Sequence, residues 1–386
     1  MSKTLNLGIF ADDISVDNNR DVTLSNLRSD QPMMFRNRII NGDMRIDQRN
    51  AGASVSLNTT AHTLDRWRVQ ASGLDEASLN VSQYSMNASD LNSTGFSNAL
   101  KVEVGTAESS IAADEYVSIQ QRIEAQNLTD LKFGTASAKS LMLSFWVKTS
   151  LTGTYGITLE KIDTTATRLI NKSFTTLTTD WEKVTIPIAG DIDSSALISD
   201  DNGEGFRLSF WLGVGSDYTT SSSNSWINYS DPYWAGTHQQ NAFLTTQNAT
   251  FYITGVQFEE GSVPTPFEHR PYGTELALCQ RYYQKFGNLS YAGIAAIMQT
   301  NITTLSKGVF ILHNEMRSGP SISFSNLIVT DRINFDTDVS NFSGSVTSSN
   351  GIFLNIAHAS SGAVYRPLML AVKNLSSGFL AFESEL

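Results

Sequence analysis

The chain is predicted to be mainly β: a sandwich, one connecting helix, then a smaller C-terminal β-domain. Three observations predict it. Alternating apolar and polar segments recur from Phe35 to about Phe267. One stretch after Pro271 has helical spacing. Short β segments punctuated by turn residues return after it. At 386 residues, two or three domains are expected.

Leu141, Leu143, Phe145 and Val147 share one face of a strand by their period of two. Leu208, Phe210 and Leu212 do the same in a second strand. Both strands contain Leu-Ser-Phe-Trp, so both Phe residues point to the core and Trp146 and Trp211 to the other face. A third alternating strand, Val184 to Ile188, contains Pro187, which marks an edge or a strand end. Thr250 to Phe258 is a strand whose alternation slips at Gly255, the signature of a bulge. Many strands with long connections read as a sandwich rather than βαβ units. No repeat of solenoid period argues for a β-helix.

The helix is expected over 274–286, with Thr274 as N-cap and Gly287 as stop. Leu276, Cys279, Tyr283 and Phe286 would form its apolar stripe. Residues 1–33 are short and polar, with alternation at Ile14-Ser15-Val16 and Val22-Thr23-Leu24. They read as an arm that orders against other chains. The expected domains are therefore an attachment arm at 1–33, the sandwich at 34–272, a connecting helix at 273–290 and a C-terminal β-domain at 291–386.

Composition excludes several functions. The net charge is −11 and no Lys/Arg cluster reaches five, so nucleic acid is not an expected partner. No apolar run approaches the roughly 18 residues of a membrane-spanning helix, so no membrane insertion is expected. No signal peptide is expected at the N-terminus. Cys279 is the one cysteine, which excludes an internal disulfide. Asn-x-Ser/Thr triplets, as at Asn80, Asn127 and Asn301, read as chance in a chain this rich in Asn, Ser and Thr. Charged residues make up only 17%, so polar uncharged side chains must cover the surface, as in β-rich proteins that pack side by side.

Three stretches resemble tail-fibre and receptor-binding virion proteins of tailed bacteriophages. The first is Asn37 to Arg49 followed by Leu64-Asp65-Arg66-Trp67; the second is Thr254 to Gly261 followed by Pro266 to Tyr272; the third is Cys279-Gln280-Arg281-Tyr282-Tyr283. The strand Ser144 to Lys148 and the stretch Thr179 to Val184 are similar to the middle of jelly-roll carbohydrate-binding modules. The resemblance covers about 35–285. It implies a two-sheet β-jelly-roll, a homotrimer, and display on a phage tail. It also implies where such modules hold a structural calcium: a Glu in the opening stretch and an Asp in the last strand. Here those positions carry Arg45 and Thr254 or Gly255, which speaks against that site.

Candidate chemistry is sparse. Sugar rings stack on exposed aromatic faces, and the segment from Asp217 to His238 sets Tyr218, Trp226, Tyr229, Tyr233 and Trp234 among Ser, Asn and Gly. The same residues suit packing on the chain's own sheet or on a neighbouring subunit. Trp146 and Trp211 divide likewise between a binding face and a face covered by a loop. Asp200, Asp201 and Glu204 miss the spacing of a calcium loop and read as a solvated acidic turn. The five histidines, 62, 238, 269, 313 and 358, form no metalloprotease motif, and no nucleophile elbow, phosphate loop or redox pair is present. His269, between Glu268 and Arg270, reads as a structural corner. Glu259 and Glu260 are adjacent in a strand and point to opposite faces, so they cannot act as a glycosidase pair with each other. No enzyme activity and no cofactor is expected.

The expectation is a structural virion protein, made in the host cytoplasm. It would be a tail-fibre or receptor-binding subunit that contacts virion partners through 1–33 and host surface glycan elsewhere. Two alternatives stand beside it: a virion fibre or decoration protein with no receptor role, and a glycan-cleaving tail enzyme.

Overall fold

A computed structural model describes residues 14–16, 22–24, 35–163, 166–219, 221, 224–237, 241–287, 293–331, 336–342, 346–359, 363–373 and 378–386. The expected arm lies largely outside them. Within it, β1 (Ile14–Val16) and β2 (Val22–Leu24) pair as an antiparallel hairpin. These are the two alternating patches of the sequence.

The sandwich follows. In chain order it comprises β3 (Val55–Leu57), β4 (Ala61–Leu64), β5 (Trp67–Ser72), β6 (Ser78–Ser85), α1 (Ala88–Thr94), β7 (Asn98–Thr106), β8 (Tyr116–Glu124) and β9 (Leu141–Thr149). It continues with β10 (Gly153–Lys161), β11 (Arg168–Thr176), β12 (Glu182–Ile188), β13 (Glu204–Val214), β14 (Ile227–Asn228) and β15 (Thr250–Glu260). One sheet has the order β14-β11-β10-β13-β8-β5-β4, the other β12-β9-β15-β7-β6-β3. The pairings within both are antiparallel. The jelly-roll expectation holds at the level of this two-sheet sandwich.

Alternation places the core as the sequence predicts. Leu141, Leu143, Phe145 and Val147 of β9 face Leu208, Phe210 and Leu212 of β13 in one buried cluster, with Phe145 and Phe210 edge to face at 5.1 Å. Pro187 lies on β12, an edge strand, where a missing N–H costs no ladder bond. The slip in β15 is a bulge between Thr254 and Gln257. Gly255 sits there at φ +59, and a Cβ would come within 2.5 Å of the Phe96 ring, so only glycine fits.

The resembling stretches gather at one end of the sandwich. Asn41 Nδ2 donates to Ile46 O at 2.8 Å and Asp65 O at 3.0 Å, while Trp67 Nε1 donates to Asn41 O at 2.9 Å. Asn37 Nδ2 reaches Val256 O at the bulge, and Arg270 bonds Ile39 O and pairs with Glu275. These motif residues are scaffold: their side chains meet backbone carbonyls of the entering and leaving chain.

The helix differs from the expected span. It is α2 (Tyr272–Gln280), with Pro271 at the cap position and no side-chain cap. Tyr283, predicted helical, begins β16 (Tyr283–Gly287), which pairs with the C-terminal strand β25 named below. The reason is tertiary. Arg281 and Tyr282 both turn to Glu124 of β8, which ends the helix, and Phe286 packs on Phe310 and Phe382. Of the expected stripe, Cys279 and Tyr283 are buried, and Leu276 and Phe286 are half-buried.

The C-terminal β-domain adds β17 (Gly293–Ile302), β18 (Leu305–Ile311), β19 (Ser321–Ser325), β20 (Leu327–Thr330), β21 (Asp336–Phe342), β22 (Val346–Thr347), β23 (Gly351–His358), β24 (Pro367–Val372) and β25 (Phe379–Glu383). β16, β25 and β19 form a small sheet. β18-β17-β24-β20-β21-β23 closes on itself through a β18–β23 pairing, and so forms a barrel around Met298, Phe310, Ile352 and Leu370. The chain after β25 returns to the sandwich: Arg317 binds Ser384 O and Glu385 O, and Glu385 enters a buried cluster with Arg49 and Arg66.

Candidate functional site

The outer face of the seven-stranded sheet is built from the residues that alternate away from the core. On β5 these are Arg68, Gln70 and Ser72; on β8, Tyr116, Ser118, Gln120 and Arg122; on β13, Arg207, Ser209 and Trp211; on β10, Thr158 and Glu160. Register sets them in rows. Thr158, Ser209, Gln120 and Arg68 are opposite one another across four strands, and Trp211, Ser118 and Gln70 form the next row. Apart from Trp211 and Tyr116, these outward positions are polar.

Over one half of this face the Asp217-to-His238 segment folds back, with residue 238 outside the described residues. β14 adds it to the sheet edge beside β11. Trp234 packs edge to face on Trp211 at 4.9 Å and on Tyr116 at 4.8 Å, with Tyr218 closing the cluster. Thr158 Oγ1 accepts from Trp211 Nε1 at 2.9 Å and donates to Trp234 O at 2.7 Å. Trp226 leans on Phe133 and donates to Ala189 O at 2.7 Å. Tyr229 is exposed and its hydroxyl donates to Asp231. Tyr233 is half-buried.

So of the five sequence-predicted residues, the structure brings Tyr218 and Trp234 together with Trp211 and Tyr116. Trp226, Tyr229 and Tyr233 lie elsewhere on the excursion. Trp234 and Trp211 are buried and present edges rather than free faces.

The other half of the face is a polar floor, half-buried at Arg68 and Gln70 and buried at Ser118 and Gln120. Gln70 Oε1, Ser118 Oγ and Gln120 Oε1 are buried atoms with no hydrogen-bond partner among the described residues. Their neighbours are placed but do not saturate them: Gln120 Nε2 donates to Ser209 Oγ at 2.9 Å, and Gln70 Nε2 to Tyr116 Oη at 3.4 Å. Native proteins leave few such groups orphaned, and each calls for a ligand or water. Arg68 lies opposite Gln120, half-buried, with no ion pair among the described residues. Burial, then Arg122 and Arg207, push its guanidinium down to about 10. Arg122 and Arg207 are matched by Glu204 at 3.4 and 2.8 Å, and Arg207 also by Glu160 at 3.6 Å. Burial raises the Glu160 carboxyl above its ordinary range despite Arg207. The arrangement offers hydrogen-bonding groups and one unpaired cation beside an aromatic wall. Sequence reasoning missed this floor, although its signal was present: every second residue from Arg68 to Ser72 and from Ser118 to Arg122 is polar.

The remaining candidates have structural partners. Arg45 pairs with Asp43 at 3.0 Å and binds Arg270 O, and Thr254 Oγ1 donates to Asn98 O at 2.7 Å. Asp201 accepts from Gly203 N within its own turn, and Glu204 belongs to the arginines above. His269 stacks in a corner with Phe96 and Phe267. Glu259 pairs with Arg36 and Glu260 with Lys139, on opposite faces of β15.

No family model matches the chain, and no curated protein does. Among solved structures it is similar to the enzymatically active domain of bacteriophage CBA120 tailspike protein 4. That match has 12% identity over 58% of this chain and 22% of that one, with a TM-score of 0.31. It is also similar to a family 11 carbohydrate-binding module of a cellulosomal cellulase of Clostridium thermocellum, with 13% identity over 56% of this chain and all of the module, TM-score 0.29. A putative sugar binding protein from Bacteroides thetaiotaomicron gives 12% identity over 58% of this chain and all of that one, TM-score 0.31. All three TM-scores are low, and the site rests on its own residues.

Proposed function

We propose that the chain is a structural virion protein, a tail-fibre or receptor-binding subunit of a tailed phage. It assembles as a homotrimer, attaches through residues 1–33, and uses the outer face of the seven-stranded sheet to bind host surface glycan without cleaving it. The virion assignment is supported by the three resembling stretches, which in the fold form one interlocked corner. The glycan assignment is carried by one observation: half-buried Arg68 and Gln70, with no ion pair at Arg68 and no partner at Gln70 Oε1 among the described residues, lie on the face that carries the Tyr116–Trp211–Trp234 cluster. Sugar hydroxyls pair with such groups, and half-buried Tyr116 and Tyr218 supply the aromatic surface for a ring's C–H face. Arg68 favours a glycan that carries a carboxylate or phosphate.

The test is adsorption of the purified chain to host cells and to their extracted polysaccharide. Arg68→Ala and Gln70→Ala, both at half-buried positions, should each weaken binding by roughly ten-fold or more, the effect of losing a ligand-facing hydrogen bond. Trp226→Ala, off the polar floor, should bind as the parent does. Normal adsorption by the Arg68 and Gln70 variants would rule out this face as the reader. The second reading, a glycan-cleaving enzyme, draws on the buried, protonation-prone Glu160. Reducing ends released from the polysaccharide by the parent and not by Glu160→Gln would establish it instead.

A further inference from the structure

We propose that Asp75, Glu108 and Glu115 form a calcium site at the end of the sandwich opposite the motif corner. Asp75 lies in the β5–β6 connection; Glu108 and Glu115 lie in the β7–β8 connection. One carboxylate oxygen from each lies within 4.8 Å of the other two. One ion can therefore touch all three, and a hard cation such as Ca²⁺, which takes six to eight oxygens in flexible geometry, suits an all-carboxylate set.

Convergent acidic side chains alone are common. Two further facts distinguish these. Glu108 and Glu115 are each only 2% exposed, and no lysine, arginine or histidine pairs with any of the three among the described residues. Moreover, the hydrogen bonds present satisfy only part of the cluster. Glu108 Oε1 accepts from Ala77 N at 2.9 Å and Glu115 Oε2 from Ala112 N at 2.6 Å, but Glu108 Oε2 is buried with no partner among the described residues. A buried carboxylate oxygen without a donor, on a side chain that converges with two other carboxylates and has no counter-charge among the described residues, is an arrangement that a cation completes. Burial raises the Glu115 pKa against the Ala112 N–H bond, and the charges of Glu108, Asp75 and Asp114 add to the rise.

The site has a structural consequence. Glu115 O accepts from Gly215 N at 2.7 Å and Ala113 O from Asp217 N at 3.0 Å. The β7–β8 connection therefore holds the root of the excursion that carries Tyr218 and Trp234. An ion there ties two connections together and steadies the aromatic wall. Backbone carbonyls and water would complete the six to eight oxygens.

The experiment uses the full chain stripped with chelator, titrated with CaCl₂ by calorimetry, and with Tb³⁺ by luminescence sensitised through the adjacent Tyr116. One ion per chain, and a Tm several degrees higher in Ca²⁺ than in chelator, are expected. Asp75→Asn and Glu108→Gln should each weaken Ca²⁺ binding by roughly ten-fold or more, since affinity follows ligand charge. In chelator, Glu108→Gln should melt at or above the parent temperature, because it removes repulsion while keeping the Ala77 bond. Absence of Ca²⁺ binding by the parent overturns the proposal. So does binding that survives both substitutions, or a chelator-treated Glu108→Gln chain that melts below the parent.

Discussion

Glu385 shows what single residues contribute and what sequence conceals. Its side chain is buried against Arg66 and within 2.8 Å of Arg49, more than 300 positions away in the chain. Burial alone would raise its pKa; Arg66, His62 and Arg49 outweigh burial and hold the carboxyl at about 2. His62 is itself pushed down to about 3, chiefly by burial, so near neutral pH it is uncharged and the arginines carry the pair. A carboxyl depressed in the folded state gives stability that is complete above its ordinary 4.5 and lost as pH falls towards 2. A shift of this size corresponds to about 3 kcal/mol. His62 also favours unfolding once pH falls below 6.5. Asp65, raised by burial to about 7, acts in the opposite direction between its ordinary 3.8 and 7. The two offset each other over most of that window, so the steep loss should begin near pH 4.5. Denaturant unfolding at pH 7 and at pH 3.5 checks this. Glu385→Gln should flatten the acid limb while costing about 3–5 kcal/mol at pH 7, because Arg66 is left buried without its partner. An unchanged acid limb would remove Glu385 from the account. Nothing near Glu385 in the sequence announces this role, since burial of a charge is decided by partners distant in the chain.

At the scale of elements, strands were legible wherever apolar residues recur with a period of two, because that period fixes which face meets the core. β9 and β13 show it for the core face, although their other face is also largely buried, by segments the alternation does not announce; the bulge at Gly255 and the edge position of Pro187 were legible too. The helix was legible only in part. Helical spacing placed Tyr283 and Phe286 on a continued stripe, yet aromatic residues suit strands as well, and pairing with β25 decided the matter. Tyr283 is consequently held twice: its backbone pairs with Glu383, and its ring lies 3.9 Å from the Arg49 guanidinium. Tyr283→Ala should destabilise the chain by about 3–5 kcal/mol, as buried aromatic truncations do. A loss below about 1 kcal/mol in the same unfolding assay would show that the junction tolerates an empty site. The polar floor escaped sequence reading for a related reason. Alternating polar residues are what any solvated sheet face shows, and only their burial without partners sets Ser118 and Gln120 apart.

For the whole molecule, the closing of the C-terminal barrel could not be read from the sequence, because β18 and β23 pair residues that are distant in the chain, Ile311 with Gly351 at the nearest. Its outer surface follows from that closure. Ile297 of β17 pairs with Met369 of β24, and Val309 of β18 pairs with Phe353 of β23. Because Met298 pairs with Gly308, Ile297 and Val309 are the next positions along the same two strands. The result is an apolar row across four neighbouring strands on the outside of the barrel, with Ile297 82% exposed and Ile311, near its end, 76% exposed. Inward positions of these strands already fill the core, so the row contributes nothing to it. A monomer that exposes contiguous apolar surface incurs an aggregation hazard that a matching surface on another copy removes. If the chain is the proposed trimer, the row is where a contact between copies is expected. Replacing both Ile297 and Val309 by Lys should convert trimer to monomer in sedimentation at micromolar concentration. The substituted side chains face outward, so the isolated subunit should change in stability by no more than about 0.5 kcal/mol. A double variant that sediments with the parent places the subunit contact elsewhere, and a parent that is itself monomeric at that concentration disposes of the trimer.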